Sequence, residues 1–142
     1  MNALARLHHR LTDTIPEWPL ALLLRLGVAA PFFLSGRTKV EGLLTVSPSA
    51  LYLFAEEYRL PVIPPEIAAH LATYAEHLLP ALLVLGLLTR PAALGLLAMT
   101  AVIQVFVYPS AWPTHLLWAA PLIYLVARGP DAVSLDRLLK LE

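Results

Sequence analysis

Residues 66 to 88, EIAAHLATYAEHLLPALLVLGLL, decide the fold of this chain. A helix of about 20 apolar residues spans about 30 Å of hydrocarbon, so this segment is long enough to cross a membrane. Six polar side chains nevertheless fall in its first half: Glu66, His70, Thr73, Tyr74, Glu76 and His77. At about 100° per residue they share one helix face about 160° wide. Ionisable groups in a membrane usually face a bundle interior or a water cavity, so we interpret this face as the lining of an internal site.

The composition is that of a small integral membrane protein. The chain has 142 residues, of which 58% are hydrophobic and 14% are charged, whereas soluble domains carry about 25% charged residues. The formal net charge is zero, which argues against a nucleic-acid partner. Cysteine is absent, which excludes thiol chemistry and any metal site built on the chain's own thiolates. We therefore expect a single all-α membrane domain over residues 1–142.

Four apolar segments predict a membrane four-helix bundle, with spans at about 18–36, 66–88, 91–107 and 114–127. Residues 49–58 predict a short amphipathic helix in the first loop, too short to span, which lies on the surface or dips in as a lid. Short amphipathic segments are also predicted at both termini, one ending at Pro16 and one beginning after Ser134 as an N-cap.

The basic residues predict the orientation of the chain in the membrane. Arg6, Arg10, Arg90, Arg128, Arg137 and Lys140 fall on one side of the predicted spans, and Arg37, Lys39 and Arg59 fall on the other. Lys and Arg are enriched in cytoplasmic loops, so both termini are expected in the cytoplasm. The polar half of the second span would then face outward.

Two charges inside the spans need partners. The helical rise places Arg25 and Glu76 at depths that an arginine side chain could bridge, so the sequence predicts an ion pair between them. Two alternatives remain: Arg25 snorkels to the interface, and Glu76 is protonated.

The polar face predicts an outward pocket lined by Lys39, His70, Tyr74, Glu76, His77 and His115. These residue types donate, accept and move protons. His70 and His77 are seven residues apart, a poor spacing for a shared metal, and no metal or haem site is predicted. The alternatives are that the polar groups satisfy one another as a structural network, and that His115 is an interfacial anchor.

The order of motifs resembles the DoxX family. These motifs are RLGVAAPFFLSGRTK (residues 25–39), a long connection, a mid-helix Glu76, LLVLGLLTRPAALGLL (82–97) and GPDAVSLD (129–136). The residues that carry the resemblance are Arg25, Gly36, Lys39, Glu76, Gly86, Arg90 and the SLD of residues 134–136. The resemblance implies a compact four-helix inner-membrane protein linked to membrane redox chemistry, similar to a subunit of thiosulfate:quinone oxidoreductase.

The sequence leaves two functions open. In the first, the chain is a redox subunit that binds a quinone: Glu76 and His77 are the catalytic proton-transfer groups, and Arg25 and Lys39 stabilise negative charge on the quinone. His70, Tyr74 and His115 complete the ligand-binding set, and Trp112, Phe32 or Tyr74 stacks on the ring. In the second, the chain is a non-catalytic scaffold or accessory protein.

The scaffold would serve a partner enzyme or a pathway for small secreted metal-binding peptides. The second possibility is implied by the run LFAEEYRLPVIPPEIAA (residues 53–69), which resembles a DoxX subgroup that accompanies the maturation machinery of such peptides. The expected partners are membrane lipid and either a partner protein or a second copy of the chain. Small residues on the third predicted helix would permit such a dimer.

Overall fold

The fold is almost entirely helical. The structure is a computed structural model and describes residues 16–141, so the predicted N-terminal amphipathic segment lies outside the described residues. The helices are α1 Trp18–Arg37, α2 Pro48–Leu53, α3 Pro65–Leu85, α4 Thr89–Val102, α5 Trp112–Arg128 and α6 Leu135–Leu139. Single π-helical turns, Phe54–Tyr58 and Ile103–Val107, extend α2 and α4, and a 3₁₀ turn, Pro109–Ala111, precedes α5. A short antiparallel hairpin pairs Val40–Glu41 with Thr45–Val46.

Four long helices form the bundle. By length and composition α1, α3 and α4 with its π turn can cross a membrane, at 20, 21 and 19 residues, and α5 adds 17 residues beside them. The prediction of an all-α membrane bundle is confirmed. Helix α3 ends earlier than the predicted span because Gly86 adopts a left-handed conformation, with φ of 66°, and closes it.

The core lies where α1 packs along α3 and α4 packs along α5. Its buried members are Val28, Ala29, Phe32, Leu83, Ala92, Ala93, Leu96, Leu122 and Leu125. The alanines let the helix backbones approach closely, which is how helices associate in a bilayer, where lipid is as apolar as a leucine side chain.

The first loop closes one end of the bundle, which we call the Lys39 end. Ser47 caps α2, with Ala50 N donating to Ser47 Oγ at 3.2 Å. The following π turn carries Phe54 into a small cluster with Ala68 and Ala69 of α3. The predicted short amphipathic helix therefore lies against the bundle as a cover.

The opposite end, the Arg25 end, is closed by the C-terminal segment. Ser134 caps α6 as predicted, with Arg137 N donating to Ser134 Oγ at 3.3 Å. The Asp136 carboxylate accepts from Leu88 N at 2.6 Å and from Thr89 N at 2.8 Å. Asp136 N donates back to Gly86 O at 2.8 Å. These bonds tie the tail to the turn between α3 and α4.

Candidate functional site

A small cavity of about 160 Å³ lies inside the Lys39 end of the bundle. It is enclosed by α1, the π turn after α2, α3, α4 with its π turn, and α5. The lining is mainly aromatic and aliphatic, with a few polar groups. Its members are Ser35, Lys39, Phe54, Tyr58, Leu60, Ala72, Glu76, Met99, Val102, Ile103, Val107, Tyr108, His115 and Trp118. A mostly apolar pocket with few convergent polar groups is typical of a ligand site.

A buried ion pair forms the polar wall of this cavity. Lys39 Nζ lies 2.7 Å from Glu76 Oε2 and donates to Ser35 Oγ at 2.8 Å. Ser35 Oγ in turn donates to Glu76 Oε1 at 3.3 Å. Lys39 follows α1 by two residues, so its side chain folds back over the last turn of that helix to reach α3. Both carboxylate oxygens of Glu76 are thereby hydrogen-bonded.

Gly36 brings α1 close enough to α3 for this pair to form. A Cβ at Gly36 would lie 2.9 Å from the His77 ring and 3.0 Å from Glu76 Cβ. Both distances are shorter than carbon atoms ordinarily approach. Because Gly36 has no side chain, α1 and α3 lie close enough together for Lys39 to reach Glu76.

Aromatic rings cover the outer mouth of the cavity. Tyr58 contacts Tyr108 edge to face with ring centroids 5.7 Å apart, and it contacts Phe54 at 4.9 Å. Burial, then a hydrogen bond with Tyr108, raises the pKa of Tyr58 above the usual value for a phenol. Tyr58 therefore stays protonated at neutral pH, and because its one proton is directed to Tyr108, its hydroxyl oxygen is available at the mouth as an acceptor.

His115 forms the wall on the α5 side. It is 5% exposed, and its Nδ1 lies 2.6 Å from Gln104 Oε1. Its ring packs 5.3 Å from that of Trp118. Gln104 is fixed in turn by donating to Pro109 O at 2.9 Å. The interfacial-anchor alternative does not describe this side chain, because it is buried and hydrogen-bonded within the protein.

The structure brings Lys39, Glu76 and His115 around the cavity, but it does not bring His70, Tyr74 or His77 there. The main buried face of α3 is formed by Ala69, Thr73, Glu76, Pro80 and Leu83. Viewed down the helix axis, the centre of that buried face is rotated about 60° from the direction of Glu66, towards Glu76. Only part of the predicted polar arc therefore faces the bundle interior. Tyr74 is 45% exposed, and the prediction that these three residues line the pocket is wrong.

Both histidines are instead bonded to their own helix. His70 Nδ1 lies 2.8 Å from Glu66 O, and His77 Nδ1 lies 2.7 Å from Thr73 O. The His77 ring packs against Phe33 and over Gly36. It borders Glu76 along the chain but faces the α1 contact.

The predicted Arg25–Glu76 pair is also wrong. Arg25 is 1% exposed, and its Nε lies 3.4 Å from Asp131 Oδ2 at the far end of the bundle. The C-terminal segment folds back and supplies that carboxylate. The prediction compared the depths of charges inside the predicted spans only. It therefore omitted Asp131, which lies outside them. Arg25 therefore cannot serve a ligand in the cavity.

The aromatic part of the site was not found from the sequence. The rings predicted to stack on a ligand were Trp112, Phe32 and Tyr74, and none of them lines the cavity; Phe54, Tyr58, Tyr108 and Trp118 do. The periodic face of residues 51, 54 and 58 was the available signal for the cover. Ser35 was missed because a lone serine in a span carries no pattern.

Comparisons with known proteins give a consistent result. The model of the DoxX family matches residues 20–109. A protein of Haemophilus influenzae described as "Uncharacterized protein" is 31% identical over 132 residues, which covers 84% of this chain and 82% of that relative. No solved structure matches the chain.

Proposed function

The chain belongs to the DoxX family of membrane proteins, and from that premise we propose that it is the membrane subunit of a redox system in the bacterial inner membrane, with a cavity at the Lys39 end that binds a quinone ring. The observation that carries the proposal is the cavity itself. It combines an aromatic lining with the Lys39–Glu76 ion pair on one wall and His115 on another.

The size of the cavity suits one ring. An apolar cavity of about 150 Å³ in another protein binds benzene, and this one is about 160 Å³. The walls fit a planar ring too, because Trp118, Phe54 and Tyr58 offer faces and edges to it. A larger soluble substrate would not fit unless the cover moved.

The polar groups suit oxygen atoms that accept hydrogen bonds. An ammonium has three donors, and Lys39 directs them to Glu76, Ser35 Oγ and, at 3.3 Å, Ser35 O. A ligand oxygen would most readily replace the last and longest of these. At the mouth the Tyr58 hydroxyl directs its proton to Tyr108, so a ligand oxygen would have to compete with Tyr108 for it.

A bound quinone accepts two electrons and two protons on becoming a quinol. In this proposal the electrons come from a partner redox protein. The chain's own residues bind the ring, exclude water through the Tyr58–Tyr108 cover and hold protons. In the ion pair the proton is held by the Lys39 ammonium, and the Glu76 carboxylate accepts the proton that replaces it once the ring has been protonated. His115 replaces His77 as the imidazole group, because His115 lines the cavity.

Tryptophan fluorescence tests the proposal. Replacing Trp18 and Trp112 by Phe leaves Trp118, a lining residue, as the single reporter. A quinone ring without a side chain, added to the protein in lipid nanodiscs, should quench this fluorescence saturably. Ala72→Phe fills the cavity and should abolish the saturable quenching, whereas Leu71→Phe, at a neighbouring exposed position, should not. Equal quenching in both variants would contradict the proposal.

One observation favours the scaffold function instead. Lys39, Ser35 and Glu76 satisfy one another without a ligand, so their role would be to hold α1 against α3. If Lys39→Met and Glu76→Gln lower folded yield and quinone binding in the same proportion, the network is structural and the scaffold function is favoured.

A further inference from the structure

A groove on the lipid-facing side of the bundle adjoins the cavity. It lies between α4 and α5, has a volume of about 340 Å³ and is almost wholly apolar. Its lining is Leu97, Thr100, Ala101, Gln104, Trp112, His115, Leu116 and Ala119. The only strongly polar side chains in that lining are Gln104 and His115, and these are bonded to each other.

His115 belongs to both spaces. It lines the interior cavity and the groove, so the two spaces adjoin at this side chain. Its position is held by Gln104 on one side and by the Trp118 ring on the other. A ligand that extends from the cavity into the groove at this point would pass the imidazole and its hydrogen bond to Gln104.

The cavity is too small for more than a ring. At about 160 Å³ it matches a single ring, so any chain attached to that ring must leave through a wall. We propose that the groove between α4 and α5 holds the alkyl chain of a membrane quinone whose ring occupies the cavity, and that His115 with Gln104 is the gate between them. This inference rests on the proposed function, and it assigns the ligand's route of entry to the bilayer.

A second apolar groove makes a useful comparison. It lies between α1 and α3, has a volume of about 510 Å³ and includes Ala30, Ala81 and Phe33. It is larger, but it shares no lining residue with the cavity. Size alone would therefore select the wrong groove, whereas continuity with the ring cavity selects the one beside His115.

The alkyl chain of the quinone gains little binding free energy by moving from lipid into the groove, because lipid is as apolar as the groove. Blocking the groove should therefore act sterically. A ring that carries a chain cannot seat in the cavity if the chain has no exit. A ring without a chain should be indifferent to the groove. The difference between the two ligands is thus the quantity to measure.

The experiment compares Ala101→Phe, in the α4–α5 groove, with Ala81→Phe, in the α1–α3 groove; both alanines are exposed. Each is made in the background with Trp118 as the single tryptophan. In that background Trp112, itself a groove residue, is already Phe, so the background protein is the reference for both variants. The ligands are a quinone with a long alkyl chain and the same ring without it. Ala101→Phe should weaken binding of the chain-bearing quinone at least about tenfold, a change of about 1.4 kcal/mol. It should leave the bare ring unaffected, and Ala81→Phe should affect neither.

The outcomes separate the two hypotheses. If the bare ring binds but Ala101→Phe and Ala81→Phe give equal affinities for the chain-bearing quinone, the chain leaves elsewhere and this inference is wrong. If the bare ring fails to bind the unmodified protein, the proposed function fails and the inference falls with it.

Crosslinking gives a second measurement that does not depend on affinity. A photoreactive residue at Leu116, in the α4–α5 groove, should crosslink to the chain-bearing quinone more than one at Leu26, in the α1–α3 groove. Equal labelling at the two positions would indicate only partitioning into lipid and would overturn the assignment.

Discussion

Lys39 Nζ lies 2.7 Å from Glu76 Oε2, and their side chains are 7% and 5% exposed. The lysine comes from beyond the last turn of α1 and the glutamate from the middle of α3. Each charge would be costly to bury alone, and together with Ser35 they leave no carboxylate oxygen unpaired. The pair is therefore both the polar wall of the cavity and a link between the two helices.

Removing one member of this pair should destabilise the protein strongly. Lys39→Met leaves Glu76 buried without its cation, and Glu76→Gln leaves Lys39 without its anion; each should cost about 3–5 kcal/mol. The double variant should recover much of the loss, because no unpaired charge remains. Unfolding in mixed detergent micelles would measure the three free energies.

The matched control uses Arg25, which pairs at the other end of the bundle. Arg25→Leu combined with Glu76→Gln should give the sum of the two single effects, since the residues share no partner. A large favourable coupling between Arg25 and Glu76, with none between Lys39 and Glu76, would contradict the observed pairing.

Gly36→Ala should be destabilising although the change is one methyl group. The added Cβ would lie 2.9 Å from two atoms of the His77 ring and 3.0 Å from Glu76 Cβ. Relieving this overlap pushes α1 from α3, at a cost of about 1–3 kcal/mol. Gly27→Ala on the same helix is the control. Its Cβ meets nothing within 4 Å, so it should be neutral or stabilising by up to about 1 kcal/mol.

The spans could be predicted because their signal is local. Long apolar runs broken by Gly86 and by Pro-rich turns specify helices and their ends without knowledge of partners. The Ser134 cap is local for the same reason. The resemblance residues also acquire a physical account. Gly36 leaves room for the Lys39–Glu76 pair at one end, and Gly86 leaves room at the other end for Arg25, which pairs with Asp131 of the tail.

The partners of the charges could not be predicted because they are set by tertiary contacts. Arg25 pairs with Asp131 in the C-terminal tail, whose position helical periodicity does not predict. Glu76 pairs with Lys39, which lies nearer to it than Arg25 does. The polar arc of α3 was real, but the rotation of the helix against its neighbours was unknown. Half of the arc, with His70 and Tyr74, consequently lies away from the cavity.

Asp136 should make stability depend on acid pH. Burial opposes its ionisation, but hydrogen bonds from Thr89 and Leu88 and the charge of Arg25 outweigh it, so the pKa of Asp136 lies below its usual value. A depressed carboxylate pKa stabilises the fold above the unfolded value, about 3.9. This stabilisation is lost as the pH falls through the lower, folded value.

Asp136→Asn should therefore cost about 1–3 kcal/mol at neutral pH, because the charged hydrogen bonds to Leu88 N and Thr89 N are weakened. The difference in thermal stability between Asp136→Asn and the unmodified protein should shrink below about pH 4. Glu41→Gln, at an exposed carboxylate of the hairpin, should show neither effect. A pH-independent difference for Asp136→Asn would mean that its role is packing rather than charge.

The two ends of the bundle should lie on opposite sides of the membrane, with the Lys39 end outside the cytoplasm. The chain has no cysteine, so single cysteines can be introduced and labelled without background. Glu57 and Ala111 belong to the Lys39 end, where Tyr58 contacts Tyr108. Leu138 belongs to the tail that closes the Arg25 end, and it is exposed.

Cysteines at Glu57 and Ala111 should react in intact cells with a reagent that does not cross the membrane. A cysteine at Leu138 should react only after the cells are opened, since the Arg25 end is expected in the cytoplasm. The reverse result would keep the bundle but invert it, and the Lys39 cavity would then draw its protons from the cytoplasm. Labelling of Glu57 and Leu138 from the same side would contradict the assignment of the spans themselves.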